Sequence, residues 1–182
     1  MTVGDEEVAT PLVVLKDPVS TGSEADIRAQ FEVILQLREE ANAVVDLINE
    51  AEAIRAQLVD RGELVKEKEG ADEILAAGEA LDETFIDFEM GLTDLRMSGG
   101  TAGQDALRWP RQLYAKLTSL AGYIGGSDFP PTMQQLEVHE GLQRLLREAE
   151  ARMAEILDGE LGTLNQMLVD TGITHIIAGG SG

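Results

Sequence analysis

Between Ile27 and Leu58 an apolar residue returns every three or four positions: Ile27, Phe31, Ile34, Leu37, Ala41, Val44, Ile48, Ala51, Ile54 and Leu58. Steps of that size keep one stripe on one face of an α-helix, whereas a strand would scatter them over both of its faces. The preceding "STGSEAD" reads as a helix start. Ser23 can accept from first-turn N–H groups, and Asp26 three residues later completes a capping box. "DRG" at 60–62 predicts the stop, with Gly62 in the left-handed cap position. A helix over 23–61 would be about 57 Å long at the α-helical rise. A rod of that length with a single apolar stripe must find long partners, so the expected fold is an all-α, antiparallel helical bundle.

Three further stripes supply the partners. Ile74, Leu75, Leu81, Phe85, Phe88, Leu92 and Leu95 predict a helix over 71–97, interrupted by Gly78 and Gly91. Each of those glycines costs about 1 kcal/mol relative to Ala in a helix interior. Pro110 suits the first turn of a helix, where its missing N–H would have no partner, and Leu113, Leu117, Leu120 and Ile124 follow. That helix is expected over 110–124. Thr132 and Gln135 form a second capping box for a helix over 132–170, striped by Leu136, Leu142, Leu146, Ala149, Met153, Ile156, Leu164 and Leu168. Gly159 and Gly162 are its expected points of bending, and Gly172 its stop. The layout is therefore three long helices plus one shorter, a bundle domain over 23–178. It is preceded by an extended segment over 1–22 and followed by a tail at 179–182 of linker composition.

Composition limits what such a bundle does. Aromatic residues make up 4% of the chain, so the core is built from Leu, Ile, Val, Ala and Met. There are no cysteines, which excludes disulfides and thiolate metal or redox sites. With 34 acidic against 14 basic residues the net charge is −20, and a chain so acidic repels a phosphate backbone; nucleic acid is not an expected partner. The apolar runs Pro11–Leu15 and Ile173–Ala178 are far too short to cross a bilayer, so membrane insertion is not expected. "MTVGDEEVATP" lacks the basic start and apolar core of a secretory signal.

The carboxylate-rich helices raise the question of metal chemistry. A di-iron bundle needs Glu-x-x-His on two helices, and the chain has only His139 and His175, with His139 two residues after Glu137. Two imidazoles are also too few for the usual zinc sites, and the calcium-hand spacing is missing. "GGTAGQ" lacks the lysine of a phosphate-cradling loop, and no serine sits in a nucleophile elbow. No catalytic, cofactor-binding or metal-ligating residue is assigned, and no cofactor is expected. Trp109, the only Trp, is read first as an anchor for the connection before the third helix and second as a partner-binding residue.

The two ends carry the remaining signal. "TPLVVLKDP" at 10–18 reads as a strand and "ITHIIA" at 173–178 is β-branched and too short for a helix. A lone strand leaves a row of N–H and C=O groups unpaired. The two segments are expected to pair with each other or to lie against the bundle end, burying Leu12, Val14, Ile176 and Ile177. Those four, with Trp109, are the candidate interaction residues.

The order "PLVVLKDP", "SEADIRAQFEVILQLREEANAVVDLIN", "DALRWPRQLYAKLTSLAGYI" and "LNQMLVDTGITHIIA" resembles the C-terminal region of bacterial glycosyl-hydrolase-like proteins with neuraminidase-repeat or sortilin-type β-propellers. The resemblance runs from about Thr10 to Ala178, and Lys16-Asp17-Pro18 and Trp109-Pro110 are its best motifs. It implies that "TPLVVL" is the last strand of a β-sandwich module that follows a propeller, and that the partners are those preceding domains. It implies a secreted or periplasmic location, and it carries no catalytic residue onto this chain. The reading that follows is a non-catalytic accessory domain. A small carboxylate-dependent hydrolase or glycosidase and a self-associating helical scaffold, a homo-oligomer, are the alternatives.

Overall fold

The computed structural model describes residues 2–3, 6–7, 9–96 and 108–179. Beyond an antiparallel pairing of Thr2–Val3 (β1) with Glu6–Glu7 (β2), every regular element described is helical. The helices are α1 (Glu24–Val65), α2 (Ala71–Leu92), α3 (Leu113–Ile124), α4 (Met133–Ile156) and α5 (Gly162–Asp170), with a π-helical turn, Leu157–Leu161, joining the last two. The expected loop "SGGTAGQ", the end of the second helix at Met97 and residues 180–182 of the tail lie outside the described residues.

The fold is an all-α bundle, and its layout is three rods of similar length. At 42 residues, α1 is about 63 Å long. Gly62 and Arg55 of α1 face Leu75 and the Asp82–Glu89 stretch of α2, so α2 runs antiparallel to the second half of α1. Gln30 near the start of α1 donates to the carbonyls of Ile124 and Ser127 at the end of α3. The short α3 thus runs in the same direction as α2 and covers the first half of α1. Together α2 and α3 make one rod in two pieces. The third rod, α4 through α5, runs alongside α1, with His139 opposite Glu40 and Glu160 opposite Thr84 of α2.

Two apolar clusters fill the interior, one for each half. Leu37, Ala41 and Val44 of α1 meet Leu113, Leu117, Leu120 and Ile124 of α3 and Leu142 and Leu146 of α4. Ala51, Ile54 and Val65 meet Ile74, Leu81 and Phe85 of α2, then Met153, Ile156, Leu161, Leu164 and Leu168 of the third rod. Phe31, which the helical spacing places on the buried stripe, is 56% exposed. At that end Ile34 takes the contact with α3, approaching the backbone at Gly125.

Both predicted capping boxes form. Asp26 N donates to Ser23 Oγ at 3.1 Å while Ser23 N donates to Asp26 Oδ2 at 2.9 Å. Thr132 and Gln135 make the same reciprocal pair at 2.8 and 3.2 Å. The other boundaries shift. The first helix passes through Gly62 and ends at Val65, because Leu75 packs against Gly62 and Val65 is fully buried, which holds the last turn in place. The turn to α2 uses Gly70 instead, at φ 77°, a left-handed conformation that favours glycine. The second helix ends at Leu92, with Thr93 extended, and Leu95 lies beyond it. The third begins at Leu113 after an extended Gln112, so Trp109-Pro110 belong to the connection.

The π turn has a sequence cause. Along the third rod the buried residues are Met153, Ile156, Leu161, Leu164 and Leu168, and the step from Ile156 to Leu161 is five residues. An unbroken α-helix would rotate Leu161 off the core face, and one π turn absorbs the extra residue and restores the stripe.

Candidate functional site

After Asp170 the chain turns at Gly172, also at φ 77°, and residues 173–179 carry no regular secondary structure. They nevertheless lie against the bundle, with Ile173 7% and Ile176 1% exposed. A non-helical segment on a helical surface finds no strand to pair with, so its backbone groups need side-chain partners. Asn165 of α5 supplies two for Ile176, accepting from its N–H at 2.6 Å and donating to its carbonyl at 2.9 Å. Gln57 of α1 does the same for Ile177, at 3.0 and 2.9 Å. Arg61 Nε donates to the carbonyl of Thr174 at 2.9 Å. Two side-chain amides and a guanidinium thus stand in for a neighbouring strand, and the segment runs back along α1 from Arg61 towards Gln57.

The N-terminal segment does the opposite. Leu12, Val13, Val14 and Leu15 are 77–85% exposed, and no backbone hydrogen bond joins residues 10–16 to another described residue. The expected burial therefore fails for Leu12 and Val14, holds for Ile176 and fails for Ile177, which is 58% exposed although its backbone is held. The geometric reason is that three rods, an odd number, leave the two ends of the chain at opposite ends of the bundle. From Ser23 to Gln57 is 34 residues of helix, about 51 Å, so the terminal segments do not pair with each other.

Trp109 is half-buried, and the Arg96 guanidinium carbon lies 3.7 Å from its ring centroid. Arg96 is oriented by a bidentate pair to Asp94, with Nε to Oδ1 at 2.8 Å and Nη2 to Oδ2 at 2.7 Å. These bonds hold the Asp94 carboxyl below the usual carboxylate range. The stack joins the chain leaving α2 to the chain entering α3.

Polar groups inside the bundle are matched between rods. His139 Nε2 lies 2.9 and 2.8 Å from the two oxygens of Glu40, and Gln143 Nε2 donates to Glu40 Oε1 at 2.8 Å. The partner of this histidine is an acid on another helix, nearly a hundred positions away in sequence. Arg55 Nε donates to Asp82 Oδ1 at 2.8 Å, and its Nη1 lies 3.3 and 3.4 Å from the oxygens of Glu89. Glu89 is 1% exposed, and burial raises its carboxyl above the ordinary value against the opposing pull of Arg55. Among the described residues no three His, Asp or Glu side chains come together as metal ligands, and no helix is long and apolar enough to cross a membrane.

The clamp residues Gln57, Arg61 and Asn165 are the ones that sequence reasoning missed. Each is a polar residue on a helix, where solvent is the default partner. Only the position of residues 174–177 gives them another. The chain matches no family model, no curated protein and no solved structure.

Proposed function

We propose that this chain is a non-catalytic accessory domain that docks to a β-sheet module through Pro11–Leu15, in keeping with the resemblance to the helical tail of glycosyl-hydrolase-like propeller proteins. The observation that carries the reading is the exposure of four consecutive apolar side chains, Leu12 to Leu15, at 77–85%. In an extended chain successive side chains point to opposite faces, so such a run is apolar on both sides. A strand of that kind is at home in a sheet covered on both faces, not on a solvated edge. The contrast with Ile173–Ile177 sharpens the argument. That segment is also apolar and non-helical, yet the bundle offers it anchors and backbone partners. For Leu12–Leu15 it offers neither.

Amide hydrogen exchange tests the proposal. In the isolated chain the amides of Leu12–Leu15 are expected to exchange at unprotected rates. Joined to the β-sheet module of a propeller protein of the resembled kind, they are expected to become protected. Unprotected rates in both settings would remove the docking strand. Turnover of a glycoside by the isolated chain, lost on replacing one Asp or Glu, would replace the reading with the hydrolase alternative.

A further inference from the structure

We propose that the groove between α1 and α2, at the end of the molecule remote from Leu12, is a docking site for a basic amphipathic helix of another polypeptide. The groove is open, encloses about 520 Å³, and has an apolar floor of Leu58, Leu75, Ile86 and Ile176. Its walls are two antiparallel helices, each presenting residues at helical spacing: Leu58 and Gly62 on one side, Leu75, Gly78, Asp82 and Ile86 on the other. Rows spaced in this way leave between them the channel that the ridge of a further helix fills. The α2 wall runs from Ile74 to Ile86, about 18 Å, the length of just over three helical turns.

The glycines point the same way. Gly78 is helical, and a Cβ built there would meet nothing within 4 Å, so packing within the chain does not require glycine. Gly62, on the α1 wall, is covered by Leu75, at 3.6 Å from its would-be Cβ. Gly78 thus lowers the α2 wall and lets a guest backbone approach closely.

Charge selects the guest. Glu63, Glu79, Asp82 and Glu83 line the groove. Glu63 is paired with Lys66 and Asp82 with Arg55, while Glu79 and Glu83 have no cationic partner among the described residues. Of the two cations in the lining, Arg61 is engaged by Thr174 and Lys66 by Glu63. A guest with an apolar face flanked by Lys or Arg matches both floor and rim, the helix-in-groove mode of recognition. The chain's own Pro11–Leu15 cannot fill the groove in cis. Leu12 is 11 residues from Ser23, a reach of about 40 Å at full extension, whereas Leu58 is about 52 Å along α1. The docking surface is thus separate from the sheet-docking strand, and either stands without the other.

The test titrates the full chain, at physiological salt, with a Leu/Lys peptide of about 14 residues designed as an amphipathic helix. An equally charged peptide with its Leu replaced by Ser is the comparator. The expected result is saturable one-to-one binding, weakened about tenfold or more by Gly78→Leu, by Glu79→Lys with Glu83→Lys, and by loss of the peptide's apolar face. Gly78→Leu projects into open space, and circular dichroism and melting confirm its fold; the charge reversals, on exposed residues, are the second route. Three outcomes overturn the proposal: no binding, binding indifferent to Gly78→Leu and to the apolar face, or concentration-dependent self-association that Gly78→Leu abolishes. The second means attraction by net charge alone, and the third makes a second copy the occupant.

Discussion

Gln57 and Ile177 form a closed pair: the side-chain amide of the first accepts from the backbone N–H of the second at 3.0 Å and donates to its carbonyl at 2.9 Å. Asn165 repeats the arrangement on Ile176 in a less exposed place. The two rings differ in what water can replace. Asn165→Ala leaves a donor and an acceptor of the nearly buried Ile176 unsatisfied, and the expected cost is about 1–3 kcal/mol. Gln57→Ala frees groups that water can reach, and the expected cost is below about 1 kcal/mol. Urea unfolding measures both. Amide exchange at Ile176 and Ile177 is expected to accelerate in the matching variant before the rest of the bundle opens.

The glycines separate into two kinds, and the same substitution has opposite signs in them. Gly78→Ala adds a methyl group where nothing lies within 4 Å and removes the helix penalty, so stability is expected to rise by about 1 kcal/mol. Gly172 sits at φ 77°, and Gly172→Ala is expected to cost about 1–2 kcal/mol. Thermal melts of the two variants should move in opposite directions.

How much was legible follows from where each signal is stored. The start of α1, both capping boxes and the long stripes are local patterns, and they form as expected from Ser23–Asp26 and Thr132–Gln135. The ends of helices were less legible, since they depend on tertiary contacts: Gly62 reads as a stop until Leu75 is known to pack on it. The π turn was visible in principle as the five-residue step from Ile156 to Leu161, but the neighbouring Leu157 masks it by also fitting an unbroken helix. The joining of α2 and α3 into one rod, and the clamp of Gln57, Arg61 and Asn165, reside wholly in the packing of segments far apart in sequence. Of the candidate interaction residues, Ile176 is an anchor of the C-terminal segment, Trp109 an anchor of the connection, and Leu12 and Val14 are surface.

Glu89 gives the bundle a defined pH response. Burial raises its folded-state value above the usual one for Glu, so ionisation costs stability in the folded state and nothing comparable in the unfolded chain. The cost is fully present above the folded value and fades as pH falls through it, vanishing below the unfolded value of about 4.3. Asp26 and Asp94, whose values are lowered by hydrogen bonds from Ser23 and Arg96, act in the other direction and lose their contribution as acid protonates them. Comparison with Glu89→Gln isolates the one term. The stability of the native chain relative to this variant is expected to increase on lowering the pH from 7 towards 4.5. A pH-independent difference would contradict the assignment.

The single tryptophan makes the stack with Arg96 directly observable. Arg96→Ala removes the guanidinium 3.7 Å from the Trp109 ring and leaves the buried Asp94 without its bidentate partner. The ring then becomes more accessible to water. A red-shifted emission and faster iodide quenching are expected, with some loss of stability as the Asp94 carboxylate loses its hydrogen bonds. Arg96→Lys keeps the charge but not the fork, and it should restore only part of the fluorescence.

Leu12 and Ile176 test the division between the two ends. Both lie in apolar, β-branched-rich segments outside the helices, yet one is 85% and the other 1% exposed. Ile176→Ala empties a packed site beside Leu164 and Leu168, and a loss of about 2–4 kcal/mol is expected. Leu12→Asp with Val14→Asp touches no partner in the isolated chain, so its stability should stay within about 0.5 kcal/mol of the parent. Its effect should appear only where the segment has something to pair with. Exposed apolar strands invite association, and sedimentation at rising concentration is expected to show the doubly substituted chain less associated than the native one. Joined to a β-sheet module, the same pair of substitutions should cost several kcal/mol, because two carboxylates would enter an apolar interior. Equal effects in the isolated and joined forms would mean that Leu12 and Val14 have no docking role.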